Sequence, residues 1–164
     1  MSRNRGRPPL IAVCGAGQAD DRARADAHEV GRLLAEAGAV MVCGGLGGVM
    51  AAAAEGVRQA GGVSVGLLPG WDPDEAAEAL SIALPTGLAE MRNGLIVRVT
   101  RAVVAIAGGH GTLSEIALAL RLGRPVAMLD SWELRRRVGE AADPGVHRAG
   151  TPAEAVGWVL AATR

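Results

Sequence analysis

The order of elements in this sequence predicts an α/β fold, a single domain built on one parallel sheet with helices on both faces. Two observations carry that prediction. Short apolar runs alternate with longer amphipathic stretches, and the runs lack a polar side, as strands covered on both faces should read. The 24 glycines fall mainly at the ends of those runs rather than periodically, so they mark turns and not low complexity. Crossovers between parallel strands are right-handed, which makes the expected arrangement Rossmann-like.

A chain of 164 residues can bury one substantial core and is too short for two ordinary domains. Lys+Arg 17 against Asp+Glu 17 leaves a net charge of +0, which argues against a general nucleic-acid or membrane-surface binder. Any anionic ligand must therefore be held locally. Aromatic residues are 2% of the chain, with no Phe or Tyr, so the stacking surface used by single-strand nucleic-acid binders is missing. No apolar stretch is long enough to cross a bilayer, and the charged start lacks a following signal-peptide core, so a cytoplasmic protein is expected. Cys14 and Cys43 each end an apolar run. They are too few for a disulfide framework or a metal cluster and read as buried small hydrophobes, with no metal held.

Residues 1–9 carry Arg3, Arg5 and Arg7 with Pro8 and Pro9, and are expected as a disordered basic tail before the domain of residues 10–164. Residues 10–14 read as the first strand, ending in Gly15-Ala16-Gly17. A helix over 20–37 places Ala27, Val30, Leu33 and Leu34 on one face, and Gly38 stops it as a left-handed cap. The unit then repeats: a strand over 39–43, the loop Gly44-Gly45-Leu46-Gly47-Gly48, and a helix over 49–60 stopped by Gly61 and Gly62. Residues 63–67 are the third strand, and Pro69-Gly70-Trp71-Asp72-Pro73 is a turn in which Asp72 and Asp74 serve the backbone. A short helix over 74–79 and a weak strand over 81–84 are expected next.

Past Gly87, a helix over 88–100 sets Leu88, Leu95 and Val99 on its apolar face, with Arg92 and Asn93 in its first turns. Residues 103–106 form a buried strand, and Gly108, Gly109 and Gly111 then free the backbone to approach a ligand. Thr112 and Glu115 give T-x-x-E, the capping box of a helix over 112–122 with Ile116, Ala119 and Leu120 on its apolar face. Glu115 is thus either a capping carboxylate or a site residue. Residues 125–129 are the last clear strand, Arg135-Arg136-Arg137 reads as a solvated face, and Thr151, Pro152 and Glu154 start a terminal helix reaching about Ala162.

Three glycine-rich loops on one sheet edge exceed what turn-making requires, and a helix N-terminus behind such a loop attracts anions. The first loop lacks the third glycine of G-x-G-x-x-G, no acidic residue ends the second strand, and no Gly-Lys-Ser or Gly-Lys-Thr occurs. A nucleotide or phosphate site of another type remains.

Gly44-Gly45-Leu46-Gly47-Gly48-Val49-Met50 resembles the GG-x-x-G-[LV]-M loop of the Lonely Guy-like superfamily, formerly labelled "lysine decarboxylase-like". Gly108-Gly109-His110-Gly111-Thr112-Leu113-Ser114-Glu115 resembles its PGG-x-GT-x-x-E motif, and the likeness spans nearly the whole chain from Leu10. The superfamily includes cytokinin riboside monophosphate phosphoribohydrolases and molybdenum cofactor carrier proteins. The hydrolase branch carries M-H-x-R-K ahead of the glycine loop and uses the Arg and Glu as its catalytic pair, which implies Arg92 and Glu115. The His and Lys of that motif are missing, with Asn93 at the Lys position, and Ala107 replaces the leading Pro. Arg-Asn followed by G-G-x-G-T-L-S-E is similar to the carrier branch.

The resemblance implies a carrier-like protein that requires no cofactor of its own and binds a phosphorylated small molecule, a nucleotide or a molybdopterin-type molybdenum cofactor. The binding residues implied are Gly15, Ala16, Gly17, Gly44, Gly45, Gly48, Met50, Arg92, Asn93, Gly108, Gly109, His110, Gly111, Thr112 and Glu115. The alternative is a hydrolase that cleaves the N-glycosidic bond of a nucleoside 5′-monophosphate with Arg92 and Glu115. A homodimer is implied too. The helices over 88–100 and 112–122 carry more apolar surface than one sheet face covers, through Leu95, Ile96, Leu113, Ile116 and Leu120.

Overall fold

Apolar runs pair side by side in the computed structural model, which describes residues 6–163 except 136 and 138. The strands are β1 (Leu10–Gly15), β2 (Val40–Cys43), β3 (Val63–Leu68), β4 (Ile82–Pro85), β5 (Ala102–Ile106), β6 (Val126–Leu129) and β7 (Val146–Arg148). They form one parallel sheet in the order β4-β3-β2-β1-β5-β6-β7. Helices α1 (Asp21–Glu36), α2 (Val49–Gln59) and α5 (Pro152–Ala162) cover one face, and α3 (Arg92–Val99) and α4 (His110–Arg121) the other. The expected α/β architecture is met. The strand order reverses at β1, whose two neighbours are β2 and β5, and ligands of such sheets sit beyond the carboxyl ends at that switch point.

Side chains alternate through the sheet. Ile11, Val13, Met41 and Cys43 join the core under α1, α2 and α5, whereas Ala12, Cys14 and Val42 join the core under α3 and α4. Cys14 and Cys43 therefore sit on neighbouring strands but on opposite faces.

Several expectations need correction. The helix over 88–100 is a 3-10 turn, Ala89–Met91, followed by α3, and Ala89 at φ +48° sits in the left-handed region that a continuous helix excludes. Leu88, Leu95 and Val99 are 43%, 39% and 46% exposed, while Ile96 and Val97 are the apolar residues α3 buries. The expected face points outward. α4 begins at His110, two residues before Thr112, with Gly109 as a cap that has no side-chain hydrogen bond. Thr112 and Glu115 thus lie inside the helix, both buried, and do not form a capping box. The short helix over 74–79 is a 3-10 turn, Pro73–Glu75, and the three-residue β7 had no counterpart in the sequence reading.

Residues 1–5 of the expected tail and Arg136 lie outside the described residues. Pro9, just before β1, is already tied to the sheet, since its carbonyl accepts the Val40 N–H at 3.0 Å. At α5 the Thr151 hydroxyl accepts the Glu154 N–H at 3.2 Å, as expected, but the Glu154 carboxylate reaches the Gly150 N–H at 2.8 Å, one residue earlier than a capping box would place it. No described helix is long and apolar enough to cross a membrane.

Two glycines set how closely α1 and α2 cross. A Cβ at Gly31 would lie 2.0 Å from the Ala53 carbonyl oxygen, and one at Gly56 would lie 1.9 Å from the His28 carbonyl oxygen. The helices touch backbone to backbone. Gly56→Ala should lower the free energy of unfolding by about 2 kcal/mol, the cost of forcing a methyl group into packed backbone. Gly157→Ala, on a helix position with open space around it, should leave stability unchanged or raise it by about 0.5 kcal/mol. Urea midpoints read both, and equal midpoints would contradict the close crossing.

Candidate functional site

The three glycine loops finish in three different ways. At α1 the Asp20 carboxylate accepts the Ala23 N–H at 2.8 Å and caps the helix. At α2 the Val49 N–H donates to the Ala16 carbonyl at 3.0 Å, and Gly48, at φ +64°, has no room for a Cβ, which would lie 2.2 Å from the same oxygen. The first two loops close onto each other. α4 has no side-chain cap, and nothing lies within 4 Å of where a Cβ would stand on Gly109 or Gly111. Neither packing nor a positive φ demands glycine at those two positions. What they provide is open approach to the start of α4, where free N–H groups and the helix dipole favour an anion.

A cleft of about 270 Å³ lies beside that start, beyond the ends of β1, β2 and β3 and against the first turn of α3. The sequence-predicted Gly15, Gly44, Met50, Arg92, Asn93, Gly111, Thr112 and Glu115 come together around it, joined by Cys14, Leu46, Pro69, Ala89 and Glu90.

Arg92 is 9% exposed. Its Nη1 donates to the Asn93 Oδ1 at 2.6 Å, while its buried Nε has no hydrogen-bond partner among the described residues. Gly44 supplies the room: a Cβ there would lie 2.8 Å from Nη2 and 3.0 Å from Nη1. Asn93 in turn donates from Nδ2 to the Ser114 Oγ at 3.0 Å, and Ser114 donates to the Gly111 carbonyl at 2.7 Å.

Glu115, 7% exposed, sits on the same cleft from α4. Burial pushes its pKa up from 4.5 to about 7, outweighing the Cys14 thiol that donates to it and the nearby Arg92 cation, both of which pull it down. Burial likewise holds the Cys14 thiol well above its ordinary value, reinforced by the Glu115 carboxylate beside it. Cys14 is therefore a neutral S–H donor.

The other predicted residues lie elsewhere. Ala16 lines a separate cleft of about 150 Å³ with Ile106 and Ala107. Gly45 packs against Leu68, Gly48 against the first loop, and Gly108, at φ +110°, beneath Thr112. Gly17 faces open space. His110 is exposed, with its ring 5.9 Å from that of Trp132, whose indole N–H donates to the Gly109 carbonyl at 3.2 Å. Ala107 has φ +48°, which a proline ring cannot adopt, so the missing Pro of the PGG motif follows from the shape of this turn.

Sequence reasoning took Cys14 for inert packing. Its place directly before a glycine loop was the available signal. Ser114 stood within the T-L-S-E run without a role, and only the distance to Asn93 gives it one. Pro69, Ala89 and Glu90 enter the cleft because of how two turns fold, and no local pattern marks them.

Comparison with known proteins places these features in a wider group. Residues 8–156 match the profile of the SLOG cluster4 family. An uncharacterized protein of Archaeoglobus fulgidus is 43% identical over 119 residues, spanning 73% of this chain and 78% of that protein. The molybdenum cofactor binding protein of Rippkaea orientalis is similar in structure, with a TM-score of 0.86 and 31% identity over 97% of this chain and 99% of its own. The molybdenum cofactor carrier protein of Chlamydomonas reinhardtii superposes with a TM-score of 0.79 and 29% identity, over 94% of this chain and 98% of its own.

The raised pKa of Glu115 makes a stability prediction. The folded state holds this proton more tightly than the unfolded chain does, so the Glu115 contribution is complete below about pH 4.5 and is lost as the pH rises to about 7. The total change is on the order of 3 kcal/mol. Glu115→Gln should remove that fall from the pH profile of urea midpoints. Cys14→Ala, which deletes a donor to the carboxylate, should move its upper end to higher pH. Superimposable profiles for wild type and Glu115→Gln would contradict the assignment.

Proposed function

This chain belongs to the SLOG cluster4 family, and we propose that it is a carrier-type protein that binds a phosphorylated small molecule, a nucleotide or a molybdenum cofactor. One observation carries the proposal: Arg92, whose buried Nε has no partner among the described residues, lines the same cleft as the uncapped start of α4. A buried cationic donor without an acceptor is costly, and a ligand that brings one relieves the cost. The ligand's phosphate would meet the first-turn N–H groups around Gly111 and Thr112, and a second acceptor on the same molecule would meet Arg92. Leu46, Met50 and Pro69 offer apolar contact for a ring system. The cofactor-binding proteins of similar structure support molybdenum cofactor as the cargo.

A second reading rests on Glu115. A carboxyl group titrating near neutrality in a cleft suits a general base, and with Arg92 beside it could activate water against the N-glycosidic bond of a nucleoside 5′-monophosphate. The two readings separate experimentally. Binding alone predicts that nucleoside monophosphates or phosphorylated pterins raise the melting temperature by mass action, that their phosphate-free forms do so less, and that no free base is released. Hydrolysis predicts base release that disappears in Glu115→Gln. No thermal shift with any phosphorylated ligand at millimolar concentration would overturn the carrier reading.

The proposal extends to a homodimer. Ile96 and Ile116, expected at the interface, are fully buried within the chain. The exposed apolar residues there are the expected Leu95 together with Leu88, Met91 and Val99, of which Met91 is 80% exposed and adjoins Arg92. Met91 at the N-cap of α3, Leu95 and Val99 recur every four residues and share one face, while Leu88 lies before the left-handed Ala89. Sedimentation equilibrium should give a dimer mass for wild type and a monomer mass for Leu95→Glu. A wild-type monomer throughout the micromolar range would overturn this part.

A further inference from the structure

We propose that Asn93 and Ser114 form a positioning relay that sets Arg92 at a fixed place relative to the start of α4, and that this spacing selects the ligand. The inference rests on the reading of the cleft as a site for a phosphorylated small molecule. It gives Asn93 a different task from the one its place in the motif implied.

The direction of every bond in the relay is determined. Ser114 has one hydroxyl proton, and it is committed to the Gly111 carbonyl at 2.7 Å, so its Oγ can only accept from Asn93 at 3.0 Å. The donor end of the Asn93 amide therefore points to Ser114 and its carbonyl end to Arg92, where Oδ1 accepts from Nη1 at 2.6 Å. Turning the amide over would break both bonds. With Nη1 held by Asn93 and the guanidinium seated over Gly44, the buried Nε–H is left without a partner among the described residues.

The same chain of bonds ends on Gly111, in the first turn of α4, where the helix start is uncapped. Anion site and guanidinium are thereby tied to each other across α3 and α4. A ligand that uses only the helix start gains nothing from this tie. A ligand that carries a phosphate and a second acceptor gains from both ends at once, because their spacing is fixed before it arrives. Asn93 is 7% exposed and both ends of its amide are engaged, one with Arg92 and one with Ser114, which makes it a positioning residue. Ser114 lies on the exposed side of α4, so changes there spare the core.

Calorimetric titration with guanosine 5′-monophosphate and with inorganic phosphate tests this. Ser114→Ala should weaken guanosine 5′-monophosphate about tenfold, the loss of one well-placed hydrogen bond, and leave phosphate within about twofold. Ser114→Thr, which keeps the hydroxyl, should restore the nucleotide affinity. The double variant Asn93→Ala with Ser114→Ala should be no weaker than Asn93→Ala alone, because both changes break one relay. Nucleotide affinity unchanged in Ser114→Ala, equal losses for nucleotide and phosphate, or additive losses in the double variant would overturn the relay while leaving the cleft's function standing. A wild type that binds neither probe would overturn the reading of the cleft and the relay with it.

Discussion

Arg92 holds a positive charge at 9% exposure, and the surroundings of the cleft are arranged about that charge. Taking a guanidinium out of water costs several kcal/mol unless acceptors replace the lost hydration. The chain supplies an acceptor in Asn93, room in the absent side chain of Gly44, and the through-space attraction of Glu115. None of these gives Nε a partner. Glu115 is equally incomplete, because burial outweighs the help of Cys14 and Arg92 and leaves its carboxyl titrating at about 7. Two polar groups, each partly satisfied, thus face one cleft. An incoming acceptor completes the first, and protonation of Glu115, half complete at about pH 7, reduces the repulsion an anion would meet there.

The fold makes this possible through backbone proximity. With no Phe or Tyr in the chain, alanines and glycines do much of the packing, and α1 and α2 cross closely enough for carbonyls to fill the places of missing Cβ atoms. That crossing holds the start of α2 against Ala16, which closes two of the three glycine loops with protein carbonyls and packing. The parallel sheet brings all three loops to one edge, yet only the loop between β5 and α4 is left with both open backbone and an uncapped helix. Glycine-richness was shared by the three loops. The difference among them comes from what each loop packs against.

Much of the architecture was legible in the sequence because it depends on local chemistry. Asp20 and Gly38 delimit α1 as a cap and a left-handed stop, and the apolar runs of β1, β2 and β5 lie where an uninterrupted hydrophobic pattern put them. The T-x-x-E pattern misled, since a capping box and a pair of buried helix residues share one spacing and differ only in where the helix begins. Gly31 and Gly56 had no part in the sequence reading, and they are contact points between two helices. The grouping of Arg92 with Glu115 came from family resemblance. The roles of Cys14 and Ser114 depend on hydrogen bonds across 101 and 21 positions of chain, which no local pattern encodes.

The central claim is that Arg92 keeps a buried Nε–H in wait for a ligand acceptor. Nitrogen-15 NMR of arginine Nε–H groups observes it directly, with Arg92→Lys identifying the resonance by its loss. The account predicts a signal protected from solvent exchange in the free protein that moves markedly when a nucleoside 5′-monophosphate or a phosphorylated pterin binds. A resonance that exchanges freely in the free protein, or that stays in place while such a ligand binds, would contradict it.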